Sequence, residues 1–207
     1  GIGPTGGFCL SANRKSVGGN NCIDKSFASF LIFLFTNSTV TDLGCGLGQY
    51  GKQFEKEGVR WIGYDGAENI ESVTNGFVKF LDLTEEHYID KSDWIMSIEV
   101  AEHIPMNYEE IYLYNILNPA KKGVVLSWAL PKQPGHYHVN GKTNKNVICL
   151  IEKLGFSLDH VKTNALRNTV KHCPWLKKTA MIFMLKQKLW NSFEDFRTIL
   201  QAANCNT

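Results

Sequence analysis

What this chain lacks narrows its function before any motif is read. Its six cysteines (Cys9, Cys22, Cys45, Cys149, Cys173, Cys205) contain no CxxC pair, which argues against a zinc ribbon and, more weakly, against a disulfide framework. No apolar run is long enough to cross a bilayer: the longest, FASFLIFLF over 27–35, falls far short of the about 20 residues a spanning helix needs. No Gly-Lys-Ser/Thr of a phosphate-cradling P-loop is present, nor an internal repeat or a linker. Acidic residues are missing between His160 and Trp190, where Lys162, Arg167, Lys171, Lys177, Lys178, Lys186 and Lys188 fall. That stretch reads first as solubilising charge at strand ends and turns, and second as a face for an anionic substrate or RNA.

What is there fits an ordinary globule. The 207 residues are 43% apolar and 20% charged with a net charge of +2, enough for one domain with a real core. We expect a single domain over 1–207, with an N-terminal cap at 1–37, a catalytic core at 38–187 and a C-terminal helix at 188–207. Asp24 is placed to cap a helix reaching about Phe35. Strand-like TVTDL, RWIGYD, FVKFLDL, DWIMSIE and GVVLSWAL then alternate with helical patterns at about 49–57, across YEEIYLYNILNPA and across NKNVICLIEKLGF, which Gly155 should end. FSLDHVK and KTAMIFML show no helical pattern between them and predict a terminal antiparallel hairpin. The expected fold is α/β and Rossmann-like: a seven-stranded, mostly parallel sheet with helices on both faces.

In such a sheet, ligands bind beyond the carboxyl ends of the strands, beside the first. VTDLGCGLGQYGKQF puts Gly44, Gly46 and Gly48 there, around Cys45. A dinucleotide fingerprint needs its third glycine at position 49, which is Gln49. Two acidic strand ends follow: WIGYDGA with Asp65 and Gly66, and FLDLT with Asp82 and Leu83. A carboxylate at Asp65 can accept from both hydroxyls of a ribose, or cap a turn; Asp82 can cap a helix over TEEHYI.

D-x-G-x-G-x-G from Asp42 resembles motif I of the class I S-adenosylmethionine-dependent methyltransferases, a resemblance extended by DWIMSIEVAEHIP, where E-x-x-E-H-I/V-P recurs. GVVLSWALPKQPGHYHVN, NVICLIEKLGF and LRN with TAMIFML are similar to a subgroup of small methyltransferase-domain proteins with a G-H-x-H-V-N signature and no assigned substrate. The resemblance runs roughly from Gly6 to Leu185 and implies S-adenosylmethionine as cofactor. It places Asp42, Gly44, Cys45, Gly46, Gly48, Tyr50, Asp65, Gly66, Asp82, Leu83 and Glu99 around that cofactor, with Tyr50 and the N-terminal GGFCL folding over it.

Methyl transfer needs an aligned nucleophile and often a base, and both belong on the loops after strands four and five. Candidates there are Glu99, Glu102 and His103, then Gln133, His136, His138 and Asn140; Glu99, His103, His136 and His138 are taken as catalytic candidates. Either His136 or His138 can act as base, or the pair can brace a lid; in an extended loop both point one way. The same groups resemble the metal-binding quartet of small-RNA 2′-O-methyltransferases, which would make Glu99, Glu102, His103 and His138 ligands of a divalent ion. The preferred reading has no metal. Trp128 is assigned to the core or pocket wall, and Cys45, without a base beside it, is not assigned as nucleophile.

Short acceptor loops favour transfer to an O or N atom of a small molecule. RNA methylation with the metal quartet is the alternative, as is a non-catalytic cofactor-binding scaffold. The chain opens at Gly1 without a signal-like start and reads as a trimmed product, so targeting and oligomeric state are not legible. A cytoplasmic location is expected, since the cofactor is made there; the sequon Asn37-Ser38-Thr39 keeps a secretory route open.

Overall fold

The computed structural model describes residues 22–205; the GGFCL segment lies outside them. Chain order is α1 (Lys25–Leu34), β1 (Thr39–Leu43), α2 (Gln49–Lys56), β2 (Arg60–Asp65), α3 (Ile70–Thr74), β3 (Val78–Phe80), β4 (Ser92–Ser97), α4 (Glu109–Leu117) and β5 (Ala120–Leu126), then α5 (Asn144–Lys153), β6 (Phe156–Leu158), α6 (His160–Thr169), α7 (Leu176–Thr179), β7 (Met181–Leu185) and α8 (Phe193–Ala202). Two single-turn 3-10 segments, Ala101–His103 and Met106–Tyr108, lie between β4 and α4.

The strands form one seven-stranded sheet in the order β3-β2-β1-β4-β5-β7-β6. β1 pairs parallel with β2 and β4, β2 with β3, and β4 with β5; β7 runs antiparallel between β5 and β6. The switch point therefore falls between β1 and β4, where ligand crevices form in open sheets. Period-two burial explains the two-faced core. Leu43, Ile95, Val124, Leu126, Met181 and Phe183 point to the face covered by α4, α5 and α8. Val40, Trp94, Met96, Val125 and Ile182 point to the face holding Phe27 and Leu31 of α1, Phe35 just after it, Phe54 of α2 and Leu166 of α6.

Local signals placed several boundaries. The Asp24 carboxylate accepts from the Ser26 and Phe27 N–H groups and starts α1. Its second oxygen accepts from Lys171, His172 and Cys173. Burial alone would raise its pKa, but these backbone donors, His172 first, hold it down at about 2. Gly155 follows α5 with φ +83, as a stop position requires.

Three expectations are corrected. The terminal antiparallel β6–β7 pair is present as expected, but the chain between its strands, which shows no helical pattern in the sequence, folds into α6 and α7. No helix covers TEEHYI; Asp82 instead closes a turn, accepting from the Thr84 N–H and hydroxyl at 2.9 and 2.7 Å. Four of the cysteines are paired, against the weak expectation of no disulfides. Cys22–Cys173 closes a span of 151 residues and Cys149–Cys205 one of 56. The first ties the entry to α1 onto the loop after α6; the second ties α5 to the segment after α8. Among the described residues no helix is long and apolar enough to cross a membrane.

Candidate functional site

Parallel register brings Leu43, Asp65, Ser97 and Leu126 to one edge of the sheet, so the loops that follow them share a mouth. In the loop after β1, the Gly44 and Cys45 N–H groups donate to the Tyr64 carbonyl, and the Gly46 N–H donates to Asp65 Oδ2 at 2.7 Å. The glycines serve different ends. A Cβ on Gly44, at φ +83, would stand 2.3 Å from Val100 Cγ2, whereas a Cβ on Gly46 would meet nothing within 4 Å. Gly44 is bare because protein packs against it. Gly46 is bare beside open space, and a ligand can approach its backbone there.

Asp65 is half-buried and accepts from Gly46 with one oxygen and from Ala67 with the other, at 3.0 Å. Each oxygen keeps a second lone pair, enough for a vicinal diol. Burial raises its pKa, against the pull of those two N–H groups. Asp42 lies deeper, accepting from the Trp61 indole at 3.3 Å. Burial pushes it to about 7, with the Asp65 charge adding to the rise and the indole opposing it. Tyr50 packs against Phe27 and Phe54, and its hydroxyl accepts from the Asp24 N–H. Burial, then the charges of Asp24, Asp42 and Glu99, lift it to about 12, so the phenol stays neutral beside the mouth. Cys45 is a free thiol pushed well up by burial and by Asp42 and Asp65, an environment unsuited to a nucleophile. Gly66 has room around it, its nearest neighbour being the Leu81 carbonyl at 3.6 Å. Asp82 is half-buried; Leu83 is in the core, and its carbonyl accepts from Asn115.

Beyond β4, Glu99 takes a left-handed conformation at φ +59, a strained state that a non-glycine residue holds only when its surroundings fix it. Ser127 does so: its hydroxyl accepts from the Glu99 N–H and donates to Glu99 Oε1, both at 2.7 Å. Burial raises the Glu99 pKa, opposed by Ser127 and then by the nearby Trp175 indole.

Glu102 is fully buried, and neither carboxylate oxygen has a hydrogen-bond partner among the described residues. Burial, then the Glu99 charge, moves it to about 8. His138 Nε2 stands 4.0 Å from Glu102 Oε1, and His138 Nδ1 contacts the Gln133 carbonyl at 3.1 Å. The His103 ring crosses His138 with centroids 5.1 Å apart, and its Nδ1 contacts the Tyr137 carbonyl. Burial is the main reason the His103 pKa falls to about 4; charge on His138 and His136 lowers it further, against the Tyr137 carbonyl.

Glu102, His103 and His138 can present ligand atoms all within 4.8 Å of one another. That group of three omits Glu99, which faces Ser127. His136 and His138 would be equivalent only in an extended loop. Tyr137 adopts φ +60 and breaks the extended geometry, so His138 is half-buried against Glu102 while His136 is exposed. Trp128 is core, donating to the Asn140 carbonyl, and Asn140 donates to Glu109. Sequence reasoning missed Ser127 and Trp175, which no motif marks. An open surface cavity of about 330 Å³ lies elsewhere, lined by Thr39, Glu55, Arg60 and Trp61 among others, and no candidate residue borders it.

No protein-family model matches the sequence, and no curated protein matches it. Solved structures do match in three dimensions. A TehB-like SAM-dependent methyltransferase from Corynebacterium glutamicum superposes with a TM-score of 0.60 at 16% identity, over 81% of this chain and 90% of that one. Magnesium protoporphyrin IX methyltransferase (ChlM) from Synechocystis PCC 6803, determined with bound SAM, gives 0.56 at 14%, over 82% and 87%. The methyltransferase domain of bacterial CtHen1-C gives 0.55 at 15%, over 79% and 98%. Sheet order, switch point and these likenesses agree: the chain carries the fold of S-adenosylmethionine-dependent methyltransferases.

Proposed function

We propose that the chain is an S-adenosylmethionine-dependent methyltransferase acting on an oxygen or nitrogen atom of a small molecule. The observation that carries this reading is the bare edge at Gly46, open to a ligand and tied at 2.7 Å to the Asp65 carboxylate. The residues present fit the cofactor: Asp65 keeps lone pairs for a ribose diol, Asp82 lies on the next strand end, and Asp42 and Glu99 set a negative field around the mouth. When bound, the cofactor supplies a methyl group on a sulfonium, which passes to a nucleophile while the carbon–sulfur electron pair stays on sulfur. Glu99, locked by Ser127, is positioned to orient the acceptor. On this reading His138, whose Nε2 stands 4.0 Å from Glu102 Oε1, accepts the acceptor's proton. His103, neutral at physiological pH, packs on the His138 ring and limits its orientations.

A second reading is favoured by one observation, the convergence of Glu102, His103 and His138 with an unpartnered buried carboxylate. A divalent ion there would satisfy Glu102 and lower the pKa of an acceptor hydroxyl such as an RNA 2′-OH. Titration calorimetry with S-adenosylmethionine and its demethylated product, followed by a metabolite screen, tests the main proposal. Methylated product supports it, while binding without product would leave a cofactor-binding scaffold. Loss of turnover on adding chelator would select the metal reading.

A further inference from the structure

We propose that Asn37 is an N-glycosylation site and that the chain matures in the oxidising secretory compartment where such glycans are attached. Two independent features converge on this. Asn37-Ser38-Thr39 is the only Asn-x-Ser/Thr triplet with a non-proline middle residue in the sequence, and it falls at the turn between α1 and β1 with Asn37 exposed. Separately, Cys22–Cys173 and Cys149–Cys205 pair four of the six cysteines. Reducing compartments keep thiols unpaired, and structural disulfides mark oxidising ones.

The corner is built to carry a glycan. Asn37 sits at φ +58, a left-handed conformation that asparagine tolerates. Phe33, one helical turn earlier, is 81% exposed, an apolar ring that the first sugar can cover. Thr39, whose hydroxyl completes the sequon, is engaged in the folded chain: it donates to Asp93 Oδ2 at 3.2 Å and accepts from the Asp93 N–H at 2.9 Å. Attachment therefore precedes the closing of this corner. Asn37 also precedes the amino end of β1, while the glycine loop leaves the carboxyl end five residues on, roughly 16 Å away along the strand. A glycan at Asn37 leaves the mouth open, and the methyl donor must reach the lumen by transport.

The co-reactant is a polyprenyl-diphosphate-linked oligosaccharide. Asn37 Nδ2 attacks its anomeric carbon, a C–N bond forms, the C–O bond to the diphosphate breaks, and the amide proton passes to a base of the transferase as lipid diphosphate leaves. For the cysteines, four thiols lose four electrons and four protons to two equivalents of a disulfide oxidant. The test uses protein recovered from its source cells, with free thiols trapped by N-ethylmaleimide at lysis. Peptide mass spectrometry should find the Asn37 peptide only after amidase-type glycosidase treatment, as aspartate at position 37, with Cys22, Cys149, Cys173 and Cys205 alkylated only after reduction. Asn37→Asp should abolish the glycosidase-sensitive mass shift while leaving S-adenosylmethionine affinity unchanged. Unmodified Asn37 in the native protein, or alkylation of those four cysteines without reduction, overturns the proposal; neither outcome bears on methyl transfer.

Discussion

Glu102→Gln should stabilise the fold increasingly as pH rises. The Glu102 carboxyl is fully buried and unpartnered among the described residues, and its pKa is pushed up to about 8 from an ordinary 4.5. The unfolded chain releases this proton near its ordinary value, whereas the folded chain holds it until about pH 8. Between those values the folded state binds the extra proton, so stability falls as pH rises, by about 1.4 kcal/mol per pH unit. At pH 7 the accumulated loss is roughly 3 kcal/mol, and it levels off above about pH 8. Glutamine keeps the shape and cannot ionise. Whatever its amide gains or loses near His138 is a constant offset, so the slope of the difference carries the information.

The assay is urea unfolding of both proteins at intervals from pH 5 to 8.5. The gap should be small at pH 5 and widen by roughly 3 kcal/mol toward pH 8. A gap that stays constant over that range would refute the assignment of a buried, protonated Glu102. Repeating the series with a divalent cation tests the metal reading too. A cation held by Glu102, His103 and His138 stabilises the ionised wild-type carboxylate and closes the gap; without such a site the gap is unchanged.

Asp65→Ala should lower S-adenosylmethionine affinity roughly 10- to 100-fold, the worth of charge-assisted hydrogen bonds to a diol; calorimetry reads it, with a melting curve reporting the separate cost of unpaired Gly46 and Ala67 N–H groups. His138→Ala should reduce kcat by about 10²- to 10⁴-fold, while His136→Ala, at an exposed side chain, changes it far less; equal losses would remove His138 as the base. Removing Cys22–Cys173 or Cys149–Cys205 should each cost about 4 to 5 kcal/mol by loop entropy, the longer loop more. Denaturant midpoints of the two double-serine variants check the order.

Elements whose reason is local were legible in the sequence. The glycine loop could be placed because positive φ and close packing demand glycine whatever the rest of the fold does, and the strands because their alternating residues feed opposite faces of one sheet. The Asp24 cap was legible for the same reason. What failed was settled across the fold. HVKTNALRNT carries no apolar stripe; α6 buries only Thr163 and Leu166 and is held by its packing on α1. The disulfide partners lie 151 and 56 positions apart, and only the closed chain brings them together. Spacing alone did not separate His136 from His138, because it is a single left-handed residue between them, Tyr137, that gives the two side chains different surroundings. Likewise Glu99, at φ +59, faces Ser127 rather than the alternative ligand group of Glu102, His103 and His138.

The most telling feature of the mouth is a row of acids that the fold does not need. Asp42 lies within β1, Asp65 ends β2 and Glu99 follows β4, and burial pushes all three upward. Apolar side chains at such positions would pack without that desolvation cost. Stability alone therefore does not account for the row, and acids gathered at the switch point of an open sheet suit a positively charged guest. A sulfonium is such a guest: it has no proton to donate, so carboxylates stabilise it through their field rather than through hydrogen bonds. On the proposed reading, methyl transfer turns that sulfonium into a neutral thioether. The attraction that holds the donor is then weakened in the product, and the same row that admits the cofactor helps to release what remains of it.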